Sequence, residues 1–169
     1  MANNDDFMAE LRPGAWIKVF IPGPSAGSKA GSSASSLISF WHHGIVSAVS
    51  GNGVKVIHFC RPEGSKAGTP REVCETSLDC FLNGGRDEQL VDAEPAFTDE
   101  EVVKRARKYI GAKRYRLPTR NCEHFASWCF KGSAFSKQVF AFGAGAGVLS
   151  ILLGGIAIAA MKMARSPWV

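Results

Sequence analysis

With 169 residues, 46% of them hydrophobic and 21% charged, the chain is long enough for one domain with its own core and too apolar to be disordered. Five cysteines make no even framework, and the polar, acidic stretch Met1 to Glu10 does not resemble a secretory leader, so free thiols in a reducing compartment are expected. A formal charge of +5 selects neither nucleic acid nor membrane by itself, but from Lys104 to Arg120 there are eight Lys or Arg and no acid.

Ala15 to Ile21 reads as a first strand after Pro13-Gly14 and before Pro22. Residues 22–36 are mostly Gly, Ser, Ala and Pro, a flexible loop that cannot build a core. Leu37 to Val49 and Val54 to Phe59 are β-rich and flank Ser50-Gly51-Asn52-Gly53, a hairpin signal because Asn and Gly tolerate positive φ. Arg71 to Leu82 offers another strand, closed by Asn83-Gly84-Gly85, which makes an antiparallel sheet. Thr98 and Glu101 form a capping box that opens a helix, with Val102, Val103, Ala106 and Ile110 on its buried stripe and Gly111 at its stop. Tyr115 to Leu117 reads as a last short strand. A second helix starts almost at Cys122, where Phe125, Trp128 and Cys129 recur at helical spacing.

Val139 to Met161 carries no charge over 23 residues, which at ~1.5 Å rise per residue spans a ~30 Å hydrocarbon layer. The organisation expected is a catalytic domain over 1–136, a single-pass tail anchor over 137–163 and a short tail over 164–169, with the domain on the cytoplasmic face of an intracellular membrane. Beside such an anchor, the Lys104 to Arg120 run would favour anionic lipid headgroups over nucleic acid.

Cys122 sits where a helix N-terminus points unpaired N–H groups and a positive dipole at its thiol, which favours the reactive thiolate. A general base is also needed, and His42, His43, His58 and His124 are the candidates. His124, two residues along the same helix, faces away from Cys122 and reads as structural. His42 and His43 lie on one strand and point to opposite faces, so only one of them can meet the cysteine. Cys60, Cys74, Cys80 and Cys129 read as buried, inert thiols.

The block Asn121-Cys122-Glu123-His124-Phe125, preceded by His42-His43-Gly44-Ile45-Val46 and His58, resembles the lecithin:retinol acyltransferase-like superfamily, most closely its phospholipase A/acyltransferase branch. Arg12-Pro13-Gly14 and the capped helix from Thr98 extend the resemblance over most of the chain. It implies an α+β, circularly permuted papain-like fold with an antiparallel sheet packed with helices. It also implies phospholipase A1/A2 and O- or N-acyltransferase chemistry on glycerophospholipids through an acyl-cysteine, without cofactor or metal. Cys122 corresponds to the nucleophile, His42 to the general base and His58 to the orienting third member, while His43 occupies a variable position and drops out. Gln138 corresponds to a polar residue recurrent in the phospholipase branch.

His42 and His58 lie sixteen residues apart, farther than the family pattern. A tight Gly51-Asn52 turn places His58 opposite Ile45, whereas a wide loop over 47–53 places it opposite His42, so an intact triad predicts the wide loop. Rival readings are a zinc site from His42, His58, Cys122 and Cys60, a non-catalytic membrane-associated interaction protein that keeps the same motifs, and an acyltransferase for a non-phospholipid acceptor such as retinol.

Overall fold

The computed structural model describes residues 4–23, 39–62, 64–66, 68–113, 115–116 and 119–146. Five strands, β1 (Trp16–Ile21), β2 (Phe40–Ser50), β3 (Gly53–Cys60), β4 (Glu72–Ser77) and β5 (Arg86–Leu90), form one antiparallel sheet in the order β4-β3-β2-β1-β5. Five helices accompany it: α1 (Asn4–Glu10), α2 (Leu78–Leu82), α3 (Asp99–Arg107), α4 (Cys122–Lys131) and α5 (Lys137–Ala146). This is the α+β class expected. The loop expected over 22–36 falls mostly on residues 24–38, outside the described residues.

The sheet buries both faces, each by the alternation of strand side chains. One face gathers Trp16, Ile45, Ile57, Phe59 and Val73 under α3 and α4. The other gathers Ile17, Val19, Val46 and Val56 with Phe81 of α2 and Phe7 of α1. Gly14, at φ +86°, lies against the start of α3: a Cβ there would sit 2.7 Å from the Asp99 backbone, so only glycine lets the chain enter β1 at this junction. Arg12 closes the same junction on the Asp99 carboxylate at 3.1 Å.

Several elements differ from expectation. The stretch expected as one strand over 71–82 divides, because Ser77 accepts the Cys80 N–H and caps the short helix α2. α3 has its capping box, but its α-helical part ends at Arg107, and Ile110 is left exposed while Tyr109 is buried. In place of a strand at Tyr115 there is an isolated bridge between Arg116 and Arg120. Nor is the basic run a uniform free face: Arg105 donates to the carbonyls of Trp128 and Cys129 at the end of α4, Arg107 to Ser47 and Glu75, and Lys113 pairs with Glu72.

The tail anchor is a correction. Among the described residues no helix is long and apolar enough to cross a membrane. α5, as described, is 10 residues long, and the rest of the expected span together with the tail lies outside the described residues. The single-pass, tail-anchored placement is therefore set aside.

Candidate active site

Cys122 is the first residue of α4. Asn121 caps that helix by accepting the His124 N–H at 2.9 Å, and Gly132 ends it in the left-handed conformation at φ 76°. His124 turns its ring back, its Nδ1–H donating to Asn121 Oδ1 at 2.9 Å, which fixes the cap and confirms a structural part for this histidine. The Cys122 thiol meets β2 at the backbone on either side of His42: Sγ lies 3.9 Å from the Trp41 carbonyl, and the His43 N–H points at it.

His42 and His58 project onto the other face of the sheet, around Phe81, whose ring lies 5.1 Å from one imidazole and 5.2 Å from the other. Gly44 makes room for this ring, since a Cβ there would come within 2.9 Å of it and 2.6 Å of Val56. His42 Nε2 and His58 Nδ1 are 2.8 Å apart, so the structure brings these two expected residues together.

It does so by a route the sequence reading excluded. The turn is tight, with Ser50 paired to Gly53, yet the register shifts between Val46 and Ala48 so that His58 faces Gly44 rather than Ile45. Ser47 is the extra residue of a β-bulge, and its carbonyl accepts from Arg107 Nη2 at 3.4 Å. The wide loop is thus corrected to a tight turn plus a bulge, which leaves His58 beside His42.

Hydrogen-bond order assigns the ring protons. Thr76 Oγ1 donates its only proton to the Ser77 carbonyl, so it accepts from His58 Nε2–H at 2.9 Å. His58 Nδ1 then accepts from His42 Nε2–H, and the lone pair of His42 is left on Nδ1. His43 is the converse case. Trp16 Nε1–H donates to its Nδ1 at 3.0 Å, so the one nitrogen able to accept a proton is already engaged. Among the described residues no hydrogen bond joins Cys122 to an imidazole.

Gln138 braces the strand beside the thiol. Its Oε1 accepts the Trp41 N–H at 2.7 Å and its Nε2 donates to the Trp41 carbonyl at 3.0 Å. Glu123, buried next to Cys122, accepts from the Ser136 hydroxyl, from the Lys137 and Gln138 N–H groups and from Gln138 Nε2, an anion at the start of α5.

Residues 28–135 match the family model described as lecithin retinol acyltransferase. The chain belongs to this family. Among curated relatives, the lecithin retinol acyltransferase of Bos taurus is 43% identical over 47 residues, 28% of this chain and 20% of that protein. The Homo sapiens protein is 44% identical over 43 residues, 25% of this chain and 19% of its own length. The matched stretches thus span about a fifth of the relatives.

In this member of the lecithin retinol acyltransferase family the resting charges are low. Burial pushes the Cys122 thiol up to about 11, against the backbone N–H of His43. Burial, and then His58 and Arg71, hold His42 well below the usual histidine value, and burial with Arg71 brings His58 to about 4. At neutral pH the thiol and the two paired imidazoles are therefore all in their uncharged forms. Arg71 and Thr76 were missed by the sequence reading: one sits just before β4 and one within it, and neither carries a motif.

The remaining cysteines correct a second expectation. Cys60 and Cys74, diagonal neighbours on β3 and β4 with Cα atoms 5.9 Å apart, form a disulfide rather than free thiols. Cys80 is exposed, and only Cys129 is a buried inert thiol as expected. The disulfide also removes Cys60 from the zinc set considered above.

Proposed function

We propose that the chain is a thiol acyltransferase that takes an acyl group from a glycerophospholipid through an acyl-Cys122 intermediate, with His42 as general base and His58 as the residue that orients it. The observation that carries this reading is the relay Thr76, His58, His42, which leaves a lone pair on His42 Nδ1 one residue from the backbone that holds the Cys122 thiol. Apo hydrogen bonds of catalytic pairs are commonly long and tighten with substrate bound, so binding has to bring Sγ and Nδ1 together.

His42 Nδ1 takes the thiol proton as Sγ attacks the ester carbonyl. The tetrahedral oxyanion forms beside the first backbone N–H groups of α4, whose dipole favours it. Its collapse breaks the ester C–O bond, and the proton on His42 passes to the leaving lysophospholipid oxygen. A second cycle transfers the acyl group from Sγ to water, giving phospholipase A activity, or to a hydroxyl or amine acceptor. A depressed His42 suits this role, because the ring stays unprotonated at neutral pH and ready to accept.

The test is mass spectrometry of the intact chain after incubation with a defined phosphatidylcholine. An acyl mass on Cys122, absent from Cys122→Ala and from His42→Ala at equal time, is the expected result. No adduct on the unaltered chain, with Cys122 unmodified by a thiol-reactive acyl probe, favours instead the non-catalytic interaction protein.

A further inference from the structure

Trp16, Lys18, Trp41 and His43 share the α4 side of the sheet and line a cavity of about 300 Å³ together with Glu123, Lys131 and Lys137. His43 is 4% exposed. Its Nδ1 is taken by the Trp16 indole, so its ring proton is on Nε2, and Nε2 has no partner. Burial brings His43 to about 4 in spite of the pull of Glu123, so the ring is neutral and holds one proton only. A buried donor left without an acceptor is destabilising, and is satisfied if a ligand supplies the acceptor.

The surrounding charge says which acceptor. Lys18, Lys131 and Lys137 take part in no ion pair among the described residues, and Lys18 lies 4.5 Å over the Trp41 ring. The one carboxylate in the wall, Glu123, already accepts four hydrogen bonds from Ser136, Lys137 and Gln138. Three cations, a carboxylate turned to its own contacts and an orphan N–H make a cup for an anion. The cup adjoins the nucleophile, because Trp41 and His43 also contribute the backbone groups at Cys122 Sγ. Phe135, 50% exposed, lines the same cavity, and its ring lies 6.3 Å from that of Phe140, which is 68% exposed, so apolar surface flanks the charge.

We propose that this cavity is a phosphoryl subsite: His43 Nε2–H donates to a phosphate oxygen, and Lys18, Lys131 and Lys137 balance its charge. The ligand named, the phosphodiester of the acyl-donating lipid, rests on the acyl-transfer reading, whereas the subsite itself rests on the cavity. It assigns a function to His43, the residue that sequence comparison sets aside, and explains how an ester next to a phosphate is brought to Cys122.

The experiment is nitrogen-15 NMR of the histidine rings in the full chain, titrated separately with inorganic phosphate and with glycerophosphocholine. Saturable movement of the His43 Nε2 signal with glycerophosphocholine supports a lipid phosphodiester, and movement with inorganic phosphate alone supports the subsite with free phosphate as its ligand. In Lys18→Gln/Lys131→Gln/Lys137→Gln, which changes an exposed Lys131 and Lys137 and a half-buried Lys18 but no residue of the two core clusters, the affinity falls at least tenfold. The ratio of KM for phosphatidylcholine to KM for an uncharged p-nitrophenyl ester rises by a similar factor. A His43 signal unmoved by either titrant, or a KM ratio unchanged in the triple variant, overturns the proposal. Acylation of Cys122 with an unmoved His43 sinks the subsite and spares the enzyme; a phosphoryl-dependent shift without acylation does the reverse.

Discussion

Thr76 decides which nitrogen of His42 is free. With its hydroxyl proton on the Ser77 carbonyl, Thr76 accepts from His58 Nε2–H, and in that tautomer His58 Nδ1 accepts from His42 Nε2–H. A methyl in place of the Thr76 oxygen leaves His58 Nε2–H unpaired and lets the relay adopt the opposite tautomer, which puts the proton on His42 Nδ1, the nitrogen proposed to take the thiol proton. Thr76→Val is therefore expected to lower kcat by ~10-fold or more, part of the ~10²–10⁴ that a positioned base contributes, with KM little changed and Thr76→Ser restoring it. Steady-state kinetics on a soluble ester checks this, and a wild-type kcat in Thr76→Val contradicts the relay. His42, His58 and Cys122 were legible from the sequence as residue types in a family pattern. Thr76 and Arg71 were not, because the first acts through two hydrogen bonds and the second through its field, and neither leaves a trace in local composition.

At the scale of elements, α2 holds the histidine pair from behind. Gly44 permits Phe81 to lie on His42 and against His58, and a Cβ at that position overlaps both Phe81 and Val56. Gly44→Ala is expected to destabilise the fold by ~1–3 kcal/mol, the usual cost of overpacking, and to lower activity further than its stability loss explains. Urea unfolding with parallel activity assays separates the two. The Cys60–Cys74 disulfide ties β3 to β4 next to His58, whose strand partner is Cys74. Reduction, or Cys60→Ser, is expected to cost about 2–4 kcal/mol through the freed chain entropy, read as a lower urea midpoint that reoxidation restores in the unaltered chain.

Element boundaries show what sequence could and could not specify. The capping box of α3 and the start of α4 at Cys122 are set by local sequence, and both were legible, whereas the Asn121 cap was not read. β5, Arg-Asp-Glu-Gln-Leu, was not, because an edge strand with mostly exposed positions has no apolar alternation to read. The short α2 was hidden because no glycine or proline separates Leu78 to Leu82 from β4, and only the Ser77 hydroxyl marks the change.

For the whole molecule, four buried histidines, His124 among them, set the response of the fold to acid. His58 and His43 are each lowered from 6.5 to about 4, and His42 is lowered too. In the unfolded chain these rings take up protons as pH falls below 6.5, while the folded state refuses them, so the unfolded state binds more protons in that window. Stability is full above pH 6.5 and is lost as pH falls toward 4, by up to ~1.4 kcal/mol per pH unit per histidine. Urea midpoints between pH 7.5 and 4.5 check the slope, and His58→Gln, which removes one titrating ring, is expected to flatten it. A midpoint that rises on acidification contradicts the burial of these rings in the neutral form.

The bulge at Ser47 has a further consequence. Phase along β2 is reset there, so the side chains at the active-site end and those at the turn obey two independent alternations. What happens at Gly51 and Asn52, both exposed, is then insulated from the distance between His42 and His58. Hairpin length becomes a free variable: residues can be gained at the tip, or a label grafted there, without re-aiming either imidazole.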